Sequence, residues 1–228
     1  GYTYMKHRGI SEETLNEFGI GYADGEWSSL YDHLRSMGYR DDKLLELGLI
    51  SRSDKGRCYD KFRNRVIFPI INTGGKVIGF GGRIIGEGEP KYLNSQESAV
   101  FRKKNNLYGL NLSRKEAGRQ DAIILVEGYM DVVSLYQAGV RNVSASLGTA
   151  LTENQAKLIR RYTKNVILSY DADSAGQNAA FRGLDVLYKA GCRARVLKVN
   201  NGKDPDEFIR KNGRKAFADL VQNALPYG

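Results

Sequence analysis

The chain has 228 residues, 41% of them hydrophobic, and a net charge of +9, which allows one large domain or two small ones with an ample core. No apolar run approaches the ~20 residues a membrane span needs, and the amino end, Gly1 to Arg8, lacks the apolar stretch of a signal peptide and reads as a cut fragment. Cys58 and Cys192 match no zinc spacing, so two free thiols in a reducing cytoplasm are expected.

The first fifty residues read as short helices. Ser11 is placed to cap a helix over 12–18 that Gly19 stops. Further helices are predicted near 28–37, closed by Gly38, and 41–47, closed by Gly48. Residues 1–51 carry 5 Lys/Arg against 9 Asp/Glu, whereas residues 52–104 carry 12 against 5. The pattern changes in this basic block. Residues 65–71 and 76–80 are strand-like runs joined by Asn72-Thr-Gly-Gly75, a hairpin-type turn. Pro69 has no N–H for a ladder and is expected at a sheet edge or bulge. Gly79, Gly81 and Gly82 predict close backbone approach.

From residue 121 strands and helices alternate. A strand over 122–127 precedes a helix over 130–138 that Gly139 closes. A strand over 142–146 precedes a helix running from a Thr152 cap to about Tyr162. A third strand starts at Asn165, followed by a helix over about 175–190 closed by Gly191, and a fourth strand covers 193–199. Two short helical segments follow Asp204-Pro-Asp206. Such alternation predicts right-handed crossovers and an α/β fold, a parallel sheet flanked by helices. The expected organisation is a mixed α/β basic subdomain over 1–120, the sheet over 121–202, and the start of a helical part over 203–228.

The carboxylates carry the chemistry. Asp171 and Asp173 end the third strand at spacing i, i+2, which on a strand points both to one face. Open α/β sheets place ligands at that carboxyl edge. Two such groups repel unless a cation lies between them, and oxygen ligands suit Mg²⁺, with Mn²⁺ able to substitute. Glu127 ends the first strand on the same edge and is expected to share the site. Asp131, one turn into the following helix, is a candidate ligand or organiser. Asp204 and Asp206 after the fourth strand are candidates to complete the ring, though Asp-Pro before a helix is also ordinary capping chemistry.

Basic residues form three clusters: Lys61 to Arg65, Gly81-Gly-Arg83, and Lys91 to Asn94 with Arg102-Lys-Lys104. They suggest a phosphate-rich partner. Phe62, Tyr92 and Phe101 are interleaved and are candidates to stack bases, although aromatics at this spacing are more often core. Taken together, the two sets of residues point to metal-dependent phosphoryl transfer on nucleic acid. Making and breaking a phosphodiester both remain open on these residues.

Longer strings carry a family resemblance. Arg63-Asn-Arg-Val-Ile-Phe-Pro-Ile70, Gly79-Phe-Gly-Gly-Arg83, Pro90-Lys-Tyr-Leu-Asn-Ser95 and Leu107-Tyr-Gly-Leu110 are four of them. Val126-Glu-Gly-Tyr-Met-Asp131, Ala145-Ser-Leu-Gly-Thr-Ala150 and Gly202-Lys-Asp-Pro-Asp-Glu207 complete the set. Together they resemble the RNA polymerase domain, with its Toprim fold, of bacterial DnaG-type primases. Two departures are Ala172 and Ser174, standing where the family often has Gly and a basic residue. The resemblance implies RNA primer synthesis from ribonucleoside triphosphates on single-stranded DNA, in the cytoplasm at the replisome. It implies Glu127, Asp171 and Asp173 as the central metal-binding acids, with Asp131, Asp204 and Asp206 supporting them. Arg63, Arg65, Arg83, Lys91, Tyr92, Asn94 and Lys103 would form the ridge that holds template and nucleotide. The family's zinc-binding domain and the region that meets the replicative helicase are expected to be absent from this chain. The rival readings are a Toprim enzyme that cleaves DNA, topoisomerase or nuclease, and a non-catalytic recombination module that binds single-stranded DNA.

Overall fold

The computed structural model describes residues 1–171, 173–199 and 204–226. Ala172, Gly202 and the expected boundary after residue 202 lie outside the described residues. The chain divides into two compact units, one of Gly1–Ile70 with Val77–Arg102 and one of Ile71–Lys76 with Lys103–Gly228.

The first unit opens with helices α1 (Tyr2–His7) and α2 (Glu12–Phe18). Ser11 Oγ accepts the Thr14 N–H at 3.2 Å, and Gly19 ends α2 in the left-handed region at φ 66°, so both predicted boundaries of this helix are present. Next come β1 (Gly21–Ala23), α3 (Ser29–Ser36), α4 (Asp41–Glu46), and the paired strands β2 (Ile50–Arg52) and β3 (Cys58–Asp60). Strands β4 (Arg65–Ile71), β5 (Val77–Ile84) and β6 (Tyr92–Asn94) complete a four-stranded sheet in the order β1-β4-β5-β6. Alternate β4 residues Val66, Phe68 and Ile70 are fully buried and form the core under that sheet. Pro69 lies on an interior strand, yet β1 ends opposite Ile67, so beyond that point β4 has no strand on its β1 side. A residue without an N–H is tolerated there.

The second unit begins with a 3-10 turn at Lys103–Asn105 and then alternates as the sequence predicts. Its elements are α5 (Leu110–Gln120), β7 (Ile123–Val126), α6 (Tyr129–Gln137), β8 (Val143–Ala145), α7 (Glu153–Arg160) and β9 (Asn165–Leu168). They continue with α8 (Ser174–Lys189), β10 (Arg193–Val196), α9 (Pro205–Gln222) and β11 (Leu225–Pro226). Strands run in the order β11-β10-β9-β7-β8, all parallel except β11. Every residue of β7 is buried, as a parallel strand covered on both faces requires. Leu168, Leu184, Leu187, Ile159 and Val166 pack into one cluster, each such side chain contributing roughly 1.5–3 kcal/mol through burial. Gly213, at φ 78° and ψ 176°, breaks α9 into the two helical segments expected after Asp204. Among the described residues no helix is long and apolar enough to cross a membrane.

Candidate active site

The strand order sets the carboxyl ends of β7, β9 and β10 side by side, and an acid follows each. Glu127 comes directly after β7. Asp171 lies three residues past the end of β9, Asp173 is the N-cap of α8, and Asp204 is the N-cap of α9. The aspartate pair thus leaves the sheet instead of extending it. Asp173 keeps extended backbone, at φ −73° and ψ 171°, and its side chain caps α8 by accepting the Gly176 N–H.

One oxygen of each flanking acid is fastened to backbone. The Asp171 N–H donates to Glu127 Oε1 at 3.3 Å, the Gly176 N–H to Asp173 Oδ1 at 2.7 Å, and the Glu207 N–H to Asp204 Oδ1 at 2.8 Å. Asp171 Oδ1, in contrast, is buried and has no hydrogen-bond partner among the described residues. Burial, together with the charges of Glu127, Asp204 and Asp173, pushes the Asp171 carboxyl up to about 7. Burial also raises Glu127 above the usual carboxyl range, and the Asp173 charge adds to the rise, against the Asp171 N–H bond. Mutual repulsion of this kind is relieved by a cation. Among the described residues, no three acidic, His or Cys side chains already converge as a ready-made metal site.

Asp131 and Asp206 do different work. Asp131 is 6% exposed and uses both oxygens on backbone: Oδ2 accepts the Gly128 N–H at 3.1 Å and Oδ1 the Asp206 N–H at 2.9 Å. Burial first, and the Asp204 charge second, push its carboxyl well above the ordinary range. The Asp206 side chain accepts from Ser134 Oγ and pairs with Arg210 at 3.1 Å. With their oxygens so occupied, these two fix the turn after Glu127 and the start of α9. Gly176 fixes a third point, since a Cβ there would lie 2.2 Å from the Asp171 carbonyl oxygen.

Residues 1–114 match the family model described as DNA primase catalytic core, N-terminal domain, and residues 124–209 match a Toprim-like model. The chain belongs to the DNA primase catalytic core family. The DNA primase of Clostridium acetobutylicum is 54% identical over 222 residues, which cover 97% of this chain and 37% of that protein. The crystal structure of a DNA primase domain from Pseudomonas aeruginosa is 41% identical with a TM-score of 0.91, over 98% of this chain and 71% of that one. A DnaG primase catalytic domain bound to single-stranded DNA is 40% identical with a TM-score of 0.90, over 99% and 74%. The chain spans little more than a third of the length of the curated relatives it matches.

The basic residues expected for a primase core divide into several environments. Arg65 is 5% exposed and donates to the Gly82 and Lys91 carbonyls at 3.2 and 3.4 Å, so it braces β4 against its neighbours rather than facing solvent. Arg83, Lys91, Tyr92 and Asn94 lie along the β5–β6 pair, where Arg83 stands opposite Tyr92 and Gly81 opposite Asn94. The Arg83 guanidinium lies 4.9 Å from the Tyr4 ring and 5.8 Å from the Tyr92 ring, while Lys91 is exposed. Lys103 belongs to the second unit, in its 3-10 turn. Arg63 donates to the Asp60 carbonyl and stacks 4.2 Å over Trp27 and 5.3 Å over Tyr59.

Sequence reasoning missed Arg210, Ser134 and Gly176. The Asp206–Arg210 spacing of i, i+4 was a readable helical signal. Nothing along the chain pairs Ser134 with Asp206, 72 residues away.

Proposed function

We propose that this chain is the RNA-polymerising core of a DNA primase, joining ribonucleoside triphosphates into a short RNA primer on a single-stranded DNA template. The observation that carries the reading is the buried Asp171 Oδ1, unpartnered among the described residues and close to the charges of Glu127, Asp173 and Asp204, in a chain of the primase family. Family membership favours synthesis over cleavage and over a non-catalytic binding module.

An all-oxygen donor set with one orphaned carboxylate oxygen fits Mg²⁺, or Mn²⁺ in its place. Glu127, Asp171 and Asp173 would hold the cation, with Asp204 beside them. When bound, it would offset triphosphate charge and favour ionisation of the attacking 3′-hydroxyl. The chain's own residues position the reactants. Asp131 and Asp206 hold the acidic loops in place, and Arg63, Arg83, Lys91 and Lys103 meet phosphates. Tyr92 and Asn94 contact bases or sugars, and Arg65 acts through the sheet it braces. In domain terms, residues 1–120 are assigned to substrate holding, 121–202 to the acidic site and 203–228 to the start of a helical part. The setting is the bacterial cytoplasm at the replisome. A replicative helicase and a zinc-binding domain are partners acting through segments other than these.

Incubation with single-stranded template, ribonucleotides and Mg²⁺ or Mn²⁺ should yield primers. Asp171→Ala with Asp173→Ala should abolish them, and products that persist in the double variant would sink the proposed site. Calorimetric Mn²⁺ titration reads the site without activity: equal affinity in wild type and double variant rejects the metal assignment.

A further inference from the structure

The turn at Lys103–Asn105 is fastened by hydrogen bonds rather than by burial. None of its three residues is buried, so its own side chains do not fix it by packing. The start of α7 holds it instead. Gln155, fully buried, donates from Nε2 to the Lys103 carbonyl at 3.0 Å and to the Asn106 carbonyl at 2.8 Å. Thr152 Oγ1 donates to the Lys104 carbonyl at 2.6 Å, and Asn154 Nδ2 to Asn105 Oδ1 at 2.9 Å. Thr152 and Gln155 also form the capping box of α7, in which Gln155 Oε1 accepts the Thr152 N–H at 3.0 Å. A Glu would serve that cap equally, but it could not donate to the two carbonyls. The chain leaving the turn is stitched to the carboxyl end of β8, where the Tyr108 N–H donates to the Ala145 carbonyl at 2.8 Å. Ala145 stands opposite Val126, the residue before Glu127. The turn is thus fixed from two sides on the sheet edge that carries the acids.

We propose that Gln155 is a positioning residue for phosphate binding: through the turn it keeps Lys103 at a set place on that edge, to meet a phosphate of the nucleotide or of the nucleic-acid strand. A Lys ammonium is a point charge on a flexible stem, so its mean position follows from where its backbone is anchored. Place matters because the attraction falls with distance and salt screens it within about 8–10 Å. Bonds to the backbone anchor the turn without enclosing its cations, which full burial would penalise. Lys103 accordingly stays half-buried and Lys104 exposed. The proposal rests on the reading that Lys103 meets phosphates.

The whole 228-residue chain is titrated with end-labelled oligo(dT), and separately with a fluorescent ATP analogue in Mg²⁺, each at several salt concentrations. Lys103→Ala should weaken at least one probe severalfold. For oligo(dT) the expectation is about fivefold at 0.1 M salt, with the salt slope lowered by about 0.7. A loss confined to oligo(dT) assigns the phosphate to the strand, and one confined to the ATP analogue assigns it to the nucleotide. Gln155→Met should reproduce most of the Lys103→Ala loss, yet add nothing in the Lys103→Ala background, because it acts through that lysine. Thr152→Val, which removes the bond to the Lys104 carbonyl, should act in the same sense and decides the matter if Gln155→Met fails to fold by circular dichroism. A lower melting temperature with affinity and slope unchanged would make Gln155 structural only, overturning the proposal and leaving the proposed function standing. Additive losses in the double variant overturn it equally. If Lys103→Ala changes neither probe, the phosphate contact of Lys103 fails and the proposal with it. Wild-type chain that binds neither probe removes the broader reading as well.

Discussion

The Asp131 carboxylate accepts the backbone N–H of Asp206 at 2.9 Å across 75 residues of sequence, and its other oxygen takes the N–H of Gly128. One side chain therefore sets the positions of two acidic loops without facing the space between them. Asp131→Ala would leave the buried Asp206 N–H and the half-buried Gly128 N–H without this acceptor, at a cost of about 1–3 kcal/mol for a buried group. Urea unfolding should show a loss of about 2–4 kcal/mol, with Mn²⁺ affinity falling because Glu127 and Asp204 shift. Unchanged stability would refute the bracing role.

Asp171→Asn should have the opposite sign. Its carboxyl titrates near 7 in the folded chain, against about 3.9 when unfolded. The folded state therefore holds its proton more tightly, and this carboxylate lowers stability as pH rises from about 4 through 7, with the full cost above 7. In chelator, the melting temperature of Asp171→Asn should match wild type near pH 4 and exceed it increasingly toward pH 8. A constant difference across that range would contradict the pH dependence.

Gly176→Ala tests packing rather than charge. The added methyl would sit 2.2 Å from the Asp171 carbonyl oxygen, so either the loop or the first turn of α8 must move. Thermal stability should fall, and Mn²⁺ affinity with it, although no carboxylate has been altered. Wild-type metal affinity would show that this contact does not position Asp171.

Arg65 and Lys91 should separate cleanly although both are basic. Arg65→Met removes the guanidinium bonds to the Gly82 and Lys91 carbonyls, although the Lys91 carbonyl keeps the Ile84 N–H at 3.0 Å, with an expected stability loss of about 1–3 kcal/mol. Lys91→Ala, on an exposed side chain, should change stability by less than about 0.5 kcal/mol. It should weaken single-stranded DNA binding and lower the salt slope by about 0.7. An unchanged slope would argue against a phosphate contact.

What could be read from the sequence was what depends on short range. Ser11, Gly19, Gly139 and Gly191 punctuate the helices because capping and left-handed turns are local, and the buried run of β7 announces a parallel strand by its composition alone. Acids at the ends of successive parallel strands were legible for the same reason. Burial of Arg65 was not, because it depends on Gly82, 17 residues on, being bare: a Cβ there would lie 3.0 Å from the Arg65 side chain. Likewise, spacing could not divide Asp131 and Asp206 from Asp204. All three look alike in sequence, and they differ in what reaches them: backbone N–H groups at Asp131 and Asp204, Ser134 Oγ and the Arg210 guanidinium at Asp206.

The one-oxygen tethers on Glu127, Asp173 and Asp204 have a thermodynamic consequence. A free Glu side chain loses up to roughly 1.5–2 kcal/mol of rotamer entropy when it is immobilised, and here folding has already imposed most of that loss. Cation capture should then proceed with little further ordering of these acids, and its entropy should be dominated by water released from the ion. Under the proposed function the ion would meet acids with one oxygen each already fixed, and would have only their free oxygens to draw together.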